Sequence, residues 1–76
     1  MKLAELQDCS IYCPSDEERK RIIELMYASD VGMALPFFGE WSKEPWIIYN
    51  YHFNHFMTDS EPIEVCGQYQ STDITE

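Results

Sequence analysis

Apolar and polar side chains alternate in the short segment CSIYC at residues 9–13. A period of two is typical of a β-strand with one buried face, because successive side chains of a strand point to opposite sides. Cysteine is among the most frequently buried residue types, so Cys9, Ile11 and Cys13 are expected to face the core. Pro14 ends the predicted strand.

A helix is predicted directly after this strand, because Ser15-Asp16-Glu17-Glu18 has the form of a capping box. The serine hydroxyl accepts from the amide three residues later, the Glu18 carboxylate reaches back to the serine amide, and acidic residues suit the positive end of the helix dipole. The apolar stripe comprises Ile22, Ile23, Leu25, Met26 and Tyr27, and the residues outside it are Arg19, Lys20, Arg21 and Glu24. We predict a helix from about Asp16 to Ser29 that ends before Gly32.

Residues 30–45 are predicted to be irregular, because glycine and proline recur too often there for a helix or a central strand. The segment ALPFFGEWSKEPW nevertheless contains four large aromatic residues: Phe37, Phe38, Trp41 and Trp46. Two interpretations stay open. The segment folds back as a lid over the core, or it forms a contact site, since aromatic residues dominate binding hot spots. Both hold if the phenylalanines point inward and Trp41 points outward.

The second half of the chain is predicted to be mostly β-structure. The β-branched and aromatic segment Trp46–Tyr49 is the strongest strand candidate, and its alternation continues to Met57. Twelve residues are long for a strand in a small domain, so we favour a hairpin that turns near Asn50 or Asn54. A turn at residues 59–62 and a short last strand at residues 63–66 follow.

These elements predict one α+β domain at residues 1–66, with one helix packed on a small antiparallel sheet of three to four strands in β-α-β-β-β order. Residues 67–76 are predicted to be a C-terminal tail, partly disordered, because only Tyr69 and Ile74 have much to bury. A single core in a chain of 76 residues is small, so dimerisation would add stability.

The charge of the chain restricts its partners. Fourteen Asp and Glu residues against five Lys and Arg residues give a formal net charge of -9. Such a charge repels nucleic acid and anionic membrane surfaces and favours partners with basic surfaces. Enzymes that handle nucleic acids have basic surfaces, because they must neutralise phosphates. The alternative is that the acidity only keeps a small protein soluble.

The cellular location is predicted from what the sequence does not contain. The N-terminal residues have no apolar run of signal-peptide length, and no stretch of about 20 apolar residues could cross a membrane. We therefore predict a soluble cytoplasmic protein. Its cysteines number three, which argues for thiols rather than for a disulfide framework.

Few residues suggest chemistry. Cys9, Cys13, His52 and His55 contain ligand types that zinc prefers. However, positions i and i+4 of one strand lie about 13 Å apart, which is too far to chelate one ion unless the strand bends. A chain of this length also leaves little room for a catalytic pocket of about 300 Å³ or more. We predict no enzymatic activity, no metal and no cofactor.

The pattern CSIYCPSDEERKRIIELMY, followed by a tryptophan-containing loop, the strand PWIIYNY and a closing IEV, resembles short accessory proteins encoded by bacteriophages. The resemblance spans about residues 9–66, although this chain lacks the glycine that often follows the helix directly. It implies a protein that acts without catalysis, by binding a host enzyme or a defence complex, and acidic members often occlude a nucleic-acid site. No functional residues transfer from it.

Our first hypothesis is a non-enzymatic inhibitor or adaptor that binds a basic surface of a bacterial restriction, CRISPR or recombination enzyme. The predicted partner-binding residues are Phe38, Glu40, Trp41, Glu44, Asp59, Glu61 and Glu64. Aromatic residues would anchor the partner, and carboxylates would supply charge complementarity. The alternatives are a metal or redox module that uses Cys9, Cys13, His52 and His55, and a homo-oligomeric structural subunit.

Overall fold

The computed structural model describes residues 1–33, 44–64 and 67–75. Their elements, in chain order, are β1 (Cys9–Tyr12), α1 (Asp16–Ala28), β2 (Gly32–Met33), β3 (Trp46–Asn50), β4 (His55–Asp59) and β5 (Gly67–Gln70). Two short 3₁₀ turns occupy Leu3–Glu5 and Ser71–Asp73. The predicted fold class, a small α+β domain with one helix on one sheet, is confirmed.

The sheet has the strand order β2-β4-β3-β1-β5. Its central strand, β3, pairs antiparallel with both β1 and β4, as the predicted hairpin requires. The outer pairs, β1 with β5 and β2 with β4, are parallel, so the sheet is mixed rather than wholly antiparallel as we predicted. The chain passes from β4 to the far edge of the sheet before β5, so that β5 runs in the direction of β1, whereas β2 pairs with β4 at the other edge.

The last strand lies later in the chain than predicted. Ile63 and Glu64 are outside any strand, Val65 and Cys66 lie outside the described residues, and β5 begins at Gly67. The apolar pattern of residues 63–66 predicted a strand there. The last strand is formed by the polar segment GQYQ, which pairs with β1. Residues 67–75 therefore belong to the sheet and the core rather than to a separate tail, and Ile74 is 1% exposed.

The core lies between α1 and one face of the sheet. The helix contributes Ile22, Ile23 and Met26, and the facing residues of the sheet are Cys9, Ile11, Ile47, Tyr49 and Phe56. Phe56 is fully buried, and its ring meets the edge of Tyr27 at a centroid distance of 5.7 Å. The predicted strand face with Cys9, Ile11 and Cys13 inward is confirmed, since all three are at most 1% exposed.

The helix begins at its predicted cap. The Ser15 hydroxyl accepts from the Glu18 amide at 3.3 Å and donates to the Glu18 carboxylate at 3.2 Å. Arg19 is an exception to the predicted polar face, because it is buried and donates to the carbonyl of Cys13 at 3.0 Å and to Asp16. Its guanidinium therefore joins the first turn of α1 to the residues that follow β1.

Arg21 attaches the C-terminal segment to the helix. One guanidinium nitrogen donates to the carbonyl of Ile74 at 2.9 Å, and the other donates to the carbonyl of Ser71. The hydroxyl of Ser71, a buried residue, donates to Glu18 at 2.9 Å. These hydrogen bonds hold Ile74 in the core, so that the segment after β5 closes one end of the domain.

We predict that Arg21→Met lowers the free energy of unfolding by about 1–2 kcal/mol, because two backbone carbonyls lose a charged donor. The matched control is Lys20→Met, which removes one positive charge from the neighbouring exposed position and should change stability by less than about 0.5 kcal/mol. Urea unfolding of both variants measures the difference, and amide hydrogen exchange of residues 67–75 locates it. Equal stabilities of the two variants would contradict this role of Arg21.

Candidate functional site

The face of the sheet that points away from α1 carries a row of three side chains. Tyr12 of β1 pairs with Trp46 of β3, and Trp46 pairs with Asp59 of β4. Because side chains alternate along a strand and the neighbouring Ile11 and Ile47 lie in the core, this row lies on the opposite face. The three residues are partly exposed, and the rings of Tyr12 and Trp46 lie 5.0 Å apart at 47°. We call this surface the helix-distal face.

The middle of the helix-distal face is covered. Ser10 is fully buried and Ile48, its cross-strand partner, is 5% exposed, although neither belongs to the core cluster under the helix. The cause is the connection after β4, since the amide of Ile63 donates to the Ser10 hydroxyl at 3.0 Å. Ile63 itself is 40% exposed and adds an apolar side chain beside the row.

Four of the predicted partner-binding residues lie around this face. Glu44 precedes Trp46 by two residues, Asp59 ends β4, and Glu61 and Glu64 follow in the connection that crosses the face. The Asp59 carboxylate accepts from the amide of Glu61 at 3.3 Å, which shapes the turn after β4. Residues 44–64 contain these four acids and no Lys or Arg, which gives four negative charges and no positive one.

No internal cation neutralises these acids within the described part of the chain. The ion pair found there joins Arg19 to Asp16 on the helix. Lysine and arginine are absent from the sequence after Arg21, except for Lys43. The helix-distal face is therefore a negative surface with an aromatic pair, the arrangement that a basic partner would complement.

The other predicted contact residues, Phe38, Glu40 and Trp41, lie outside the described residues. Phe37, the second residue assigned to the lid, also lies there. Whether that segment covers the core or contacts a partner therefore stays a prediction.

The turn between β3 and β4 exposes aromatic side chains, which the sequence reasoning missed; we call residues 51–54 the aromatic turn. Tyr51 is 52% exposed and Phe53 is 73% exposed, and the Phe53 ring stacks on His55 at 5.8 Å. The hairpin that we favoured, with a turn near Asn50 or Asn54, is confirmed, but the alternation of the sequence did not indicate that Tyr51 and Phe53 would be exposed. The asparagines were the available signal: Asn54 has a positive φ of 53°, and the Asn50 carboxamide accepts from the amide of Phe53 at 3.1 Å.

The aromatic turn is held at its base. The amide of Tyr51 donates to the Asp8 carboxylate at 2.8 Å, and the side chain of Asn54 donates to the carbonyl of Asp30 at 2.9 Å. The exposed rings are thus presented on a backbone with hydrogen bonds to two other parts of the chain. This turn lies at the opposite end of β3 from Trp46, so it is separate from the helix-distal face.

The alternative metal site does not assemble. Cys9 and Cys13 lie in the core under the helix, whereas His52 lies in the exposed turn and His55, which is half-buried, begins β4. Across residues 1–33, 44–64 and 67–75, no three His, Cys, Asp or Glu side chains are grouped to hold a metal ion. Burial raises the pKa of the Cys13 thiol to about 12, with Glu18 acting in the same direction. A thiol that stays protonated is a poor nucleophile and a poor ligand.

A shallow groove of about 340 Å³ lies between the N-terminal 3₁₀ turn and the end of α1. Its lining consists of Lys2, Leu3, Ala4, Leu25, Ala28 and Ser29. None of these carries a carboxylate, imidazole or thiol, so this groove offers no pair of groups for acid–base catalysis. The absence of enzymatic activity in the whole protein stays a prediction.

Comparison with models of protein families, with curated proteins and with solved structures finds no match for this chain. Among the described residues, no helix is long and apolar enough to cross a membrane. The geometry of the described residues is therefore the basis for any assignment of function.

We predict that the free energy of unfolding falls as the pH rises above about 9, because the unfolded chain then releases the Cys13 proton whereas the folded protein keeps it until about pH 12. One such group contributes at most about 1.4 kcal/mol per pH unit. Urea unfolding of the wild type and of Cys13→Ala, each compared with its own value at neutral pH, measures the effect. The free energy of unfolding of Cys13→Ala should fall less steeply with pH, because the variant lacks the Cys13 thiol. Both proteins keep some pH dependence, because burial also raises the pKa of Tyr49. Identical slopes of the free energy of unfolding against pH in the two proteins would refute this prediction.

We also predict that Phe53→Ser changes the free energy of unfolding by less than about 0.5 kcal/mol, because the ring is mostly in solvent. Phe56→Ala, three residues later and fully buried, should cost about 3–5 kcal/mol. Urea unfolding of both variants and of the wild type measures the two changes in the free energy of unfolding. A large loss of stability in Phe53→Ser would mean that this ring packs in the folded protein.

Proposed function

We propose that this protein is a non-enzymatic binding protein whose helix-distal face attaches to a basic surface of another protein. The observation that carries the proposal is the row of Tyr12, Trp46 and Asp59 on a sheet face whose surrounding segment contains four acids and no Lys or Arg. Aromatic side chains in a partly buried row supply contact area, and a negative rim supplies charge complementarity.

The charges and the rings contribute to different quantities. Carboxylates at the rim of an interface mainly accelerate association and select the sign of the partner's charge. The aromatic pair determines how long the complex lasts, because fully desolvated anchors carry most of the binding energy. The proposed complex should therefore associate more slowly at high salt, where charges are screened beyond about 3 Å at 1 M.

We extend the proposal to the class of partner. Proteins that handle nucleic acids expose basic surfaces because they must neutralise phosphates, and an acidic protein that covers such a surface excludes the nucleic acid. A bacterial restriction, CRISPR or recombination enzyme is the proposed target, and the bacterial cytoplasm is the proposed location. The resemblance to acidic accessory proteins of bacteriophages supports this extension, and inhibition or modulation of the target is its consequence.

A second candidate function, a homo-oligomeric subunit, is favoured by the aromatic turn. Phe53 is 73% exposed and Tyr51 is 52% exposed, and self-association through these rings would bury both. The net charge of -9 opposes close approach of two copies at low salt. Sedimentation of the wild type and of Phe53→Ser at tens of micromolar distinguishes the cases, since only a dimer held by the turn would dissociate in the variant.

The proposal predicts that capture of partners depends on the acids of the helix-distal face. The test variant combines Glu44→Gln, Asp59→Asn, Glu61→Gln and Glu64→Gln. The control variant combines Glu5→Gln, Glu17→Gln, Glu24→Gln and Asp30→Asn, which removes the same number of charges from exposed positions elsewhere. Affinity capture from bacterial lysate with mass spectrometry should recover basic proteins with the wild type and the control, and at least about tenfold less with the test variant.

The charge of the captured proteins is part of the expected result. Partners that are acidic, or that bind the test variant as strongly as the control, would overturn the proposal. So would partners that stay bound to the test variant at about 1 M salt, where exposed ion pairs are screened.

A further inference from the structure

Asp59 and Trp46 are direct cross-strand partners, so their side chains leave the helix-distal face as neighbours. Side chains in such a pair have Cβ atoms about 4.5–5.5 Å apart. At that separation of the Cβ atoms, a single planar cation can reach both an indole ring and a carboxylate. The pairing of an indole with a carboxylate restricts the chemical type of the ligand more than the net charge of the face does.

One of the two carboxylate oxygens of Asp59 accepts no hydrogen bond from the described residues. Its Oδ1 atom accepts from the amide of Glu61 at 3.3 Å and from the Ser60 hydroxyl at 3.4 Å. Throughout the described ranges, no donor lies within hydrogen-bonding distance of Oδ2, and no Lys or Arg side chain pairs with Asp59. The turn therefore orients the carboxylate with one oxygen and leaves the other for an external donor.

The indole is held in place by its neighbours. Tyr12 packs against Trp46 at 5.0 Å on one side, and the backbone beside it is tied to β1 because the Cys13 amide donates to the Pro45 carbonyl at 2.7 Å. Trp46 also lies in β3, which has a paired strand on each side. A ring held in this way loses little conformational freedom when a ligand stacks on it.

We propose that this part of the helix-distal face binds an arginine side chain of a partner protein. The guanidinium stacks on the ring of Trp46 and donates a hydrogen bond to the Oδ2 atom of Asp59, and Glu44 and Glu61 add negative charge at the rim. This inference rests on the proposed function and names the chemical group that the basic partner contributes.

Arginine fits this site better than lysine for three physical reasons. The guanidinium is planar, so it covers an aromatic ring face to face, whereas an ammonium is a compact point charge. It is also more weakly hydrated, and it keeps donors at its edge for a carboxylate while it stacks. A purely apolar side chain would desolvate Asp59 without pairing it, which costs free energy. A phosphate group would be repelled by the carboxylates.

The test uses two synthetic peptides of identical length and charge, in which three arginines or three lysines are separated by glycine and serine. Their binding to the ¹⁵N-labelled full chain is followed through the two tryptophan indole resonances, and Trp41→Phe assigns the resonance of Trp46. The arginine peptide should shift the Trp46 resonance and bind about fivefold more tightly than the lysine peptide, because the planar guanidinium stacks on the ring while it donates to Asp59 and an ammonium does not.

Three variants locate the contact. Asp59→Asn keeps the acceptor that shapes the turn but removes the charge, and it should reduce the arginine preference at least about twofold. Trp46→Leu should abolish the preference, and Trp46→Phe, which keeps a ring, should retain part of it and guards against a folding defect. Phe53→Ser, at the opposite end of β3, is the control and should leave both affinities unchanged.

Equal affinity of the two peptides would overturn the inference, and so would an arginine preference that survives in Trp46→Leu. A Trp46 resonance that neither peptide shifts would also overturn it. The proposed function is judged separately, because its capture experiment requires a basic partner and the four acids but no preference for arginine.

Discussion

The pairing register between β1 and β3 is the constraint on which both faces of the sheet depend. Cys9 lies opposite Tyr49 and Ile11 opposite Ile47, and these inward pairs form the core with the helix. The same register places Tyr12 opposite Trp46 on the other face. A slip of one residue would exchange the two faces, because strand side chains alternate with a period of two. The hydrophobic core and the proposed binding surface are thus determined together.

Two of the five positively charged residues, Arg19 and Arg21, donate hydrogen bonds that join parts of the fold on the helix side of the domain. Arg19 donates to the Cys13 carbonyl and to Asp16, and Arg21 donates to the carbonyls of Ser71 and Ile74. Both guanidiniums therefore donate to internal acceptors, although the buried Nε of Arg19 has no partner among the described residues. The acids near β3 and β4 have no such cations in their own segment. Among the described residues, these acids have no internal cation, and we propose that a cation of a partner pairs with them.

Local sequence signals predicted the elements that depend on near neighbours. The capping box at Ser15 placed the start of α1 correctly, because the serine and glutamate of that motif contact each other. The β-branched run after Trp46 placed β3, and the asparagines on either side of residues 51–53 were compatible with the hairpin. By contrast, the polar sequence GQYQ does not predict a strand, and β5 forms by pairing with the edge of β1. The parallel pairing of β2 with β4 is likewise a contact between segments that are distant in the chain.

The sequence by itself determined the fold class and the net charge, since these follow from composition and from periodicity within single segments. The five candidate acids that it named stay predictions. Only the tertiary structure decided that Asp59 lies beside Trp46, that Tyr12 packs against the same indole, and that Phe53 is exposed. The physical reason is that these relations join residues from different strands. Cross-strand register and the path of a connection are set by the packing of the whole core, and no local pattern encodes them.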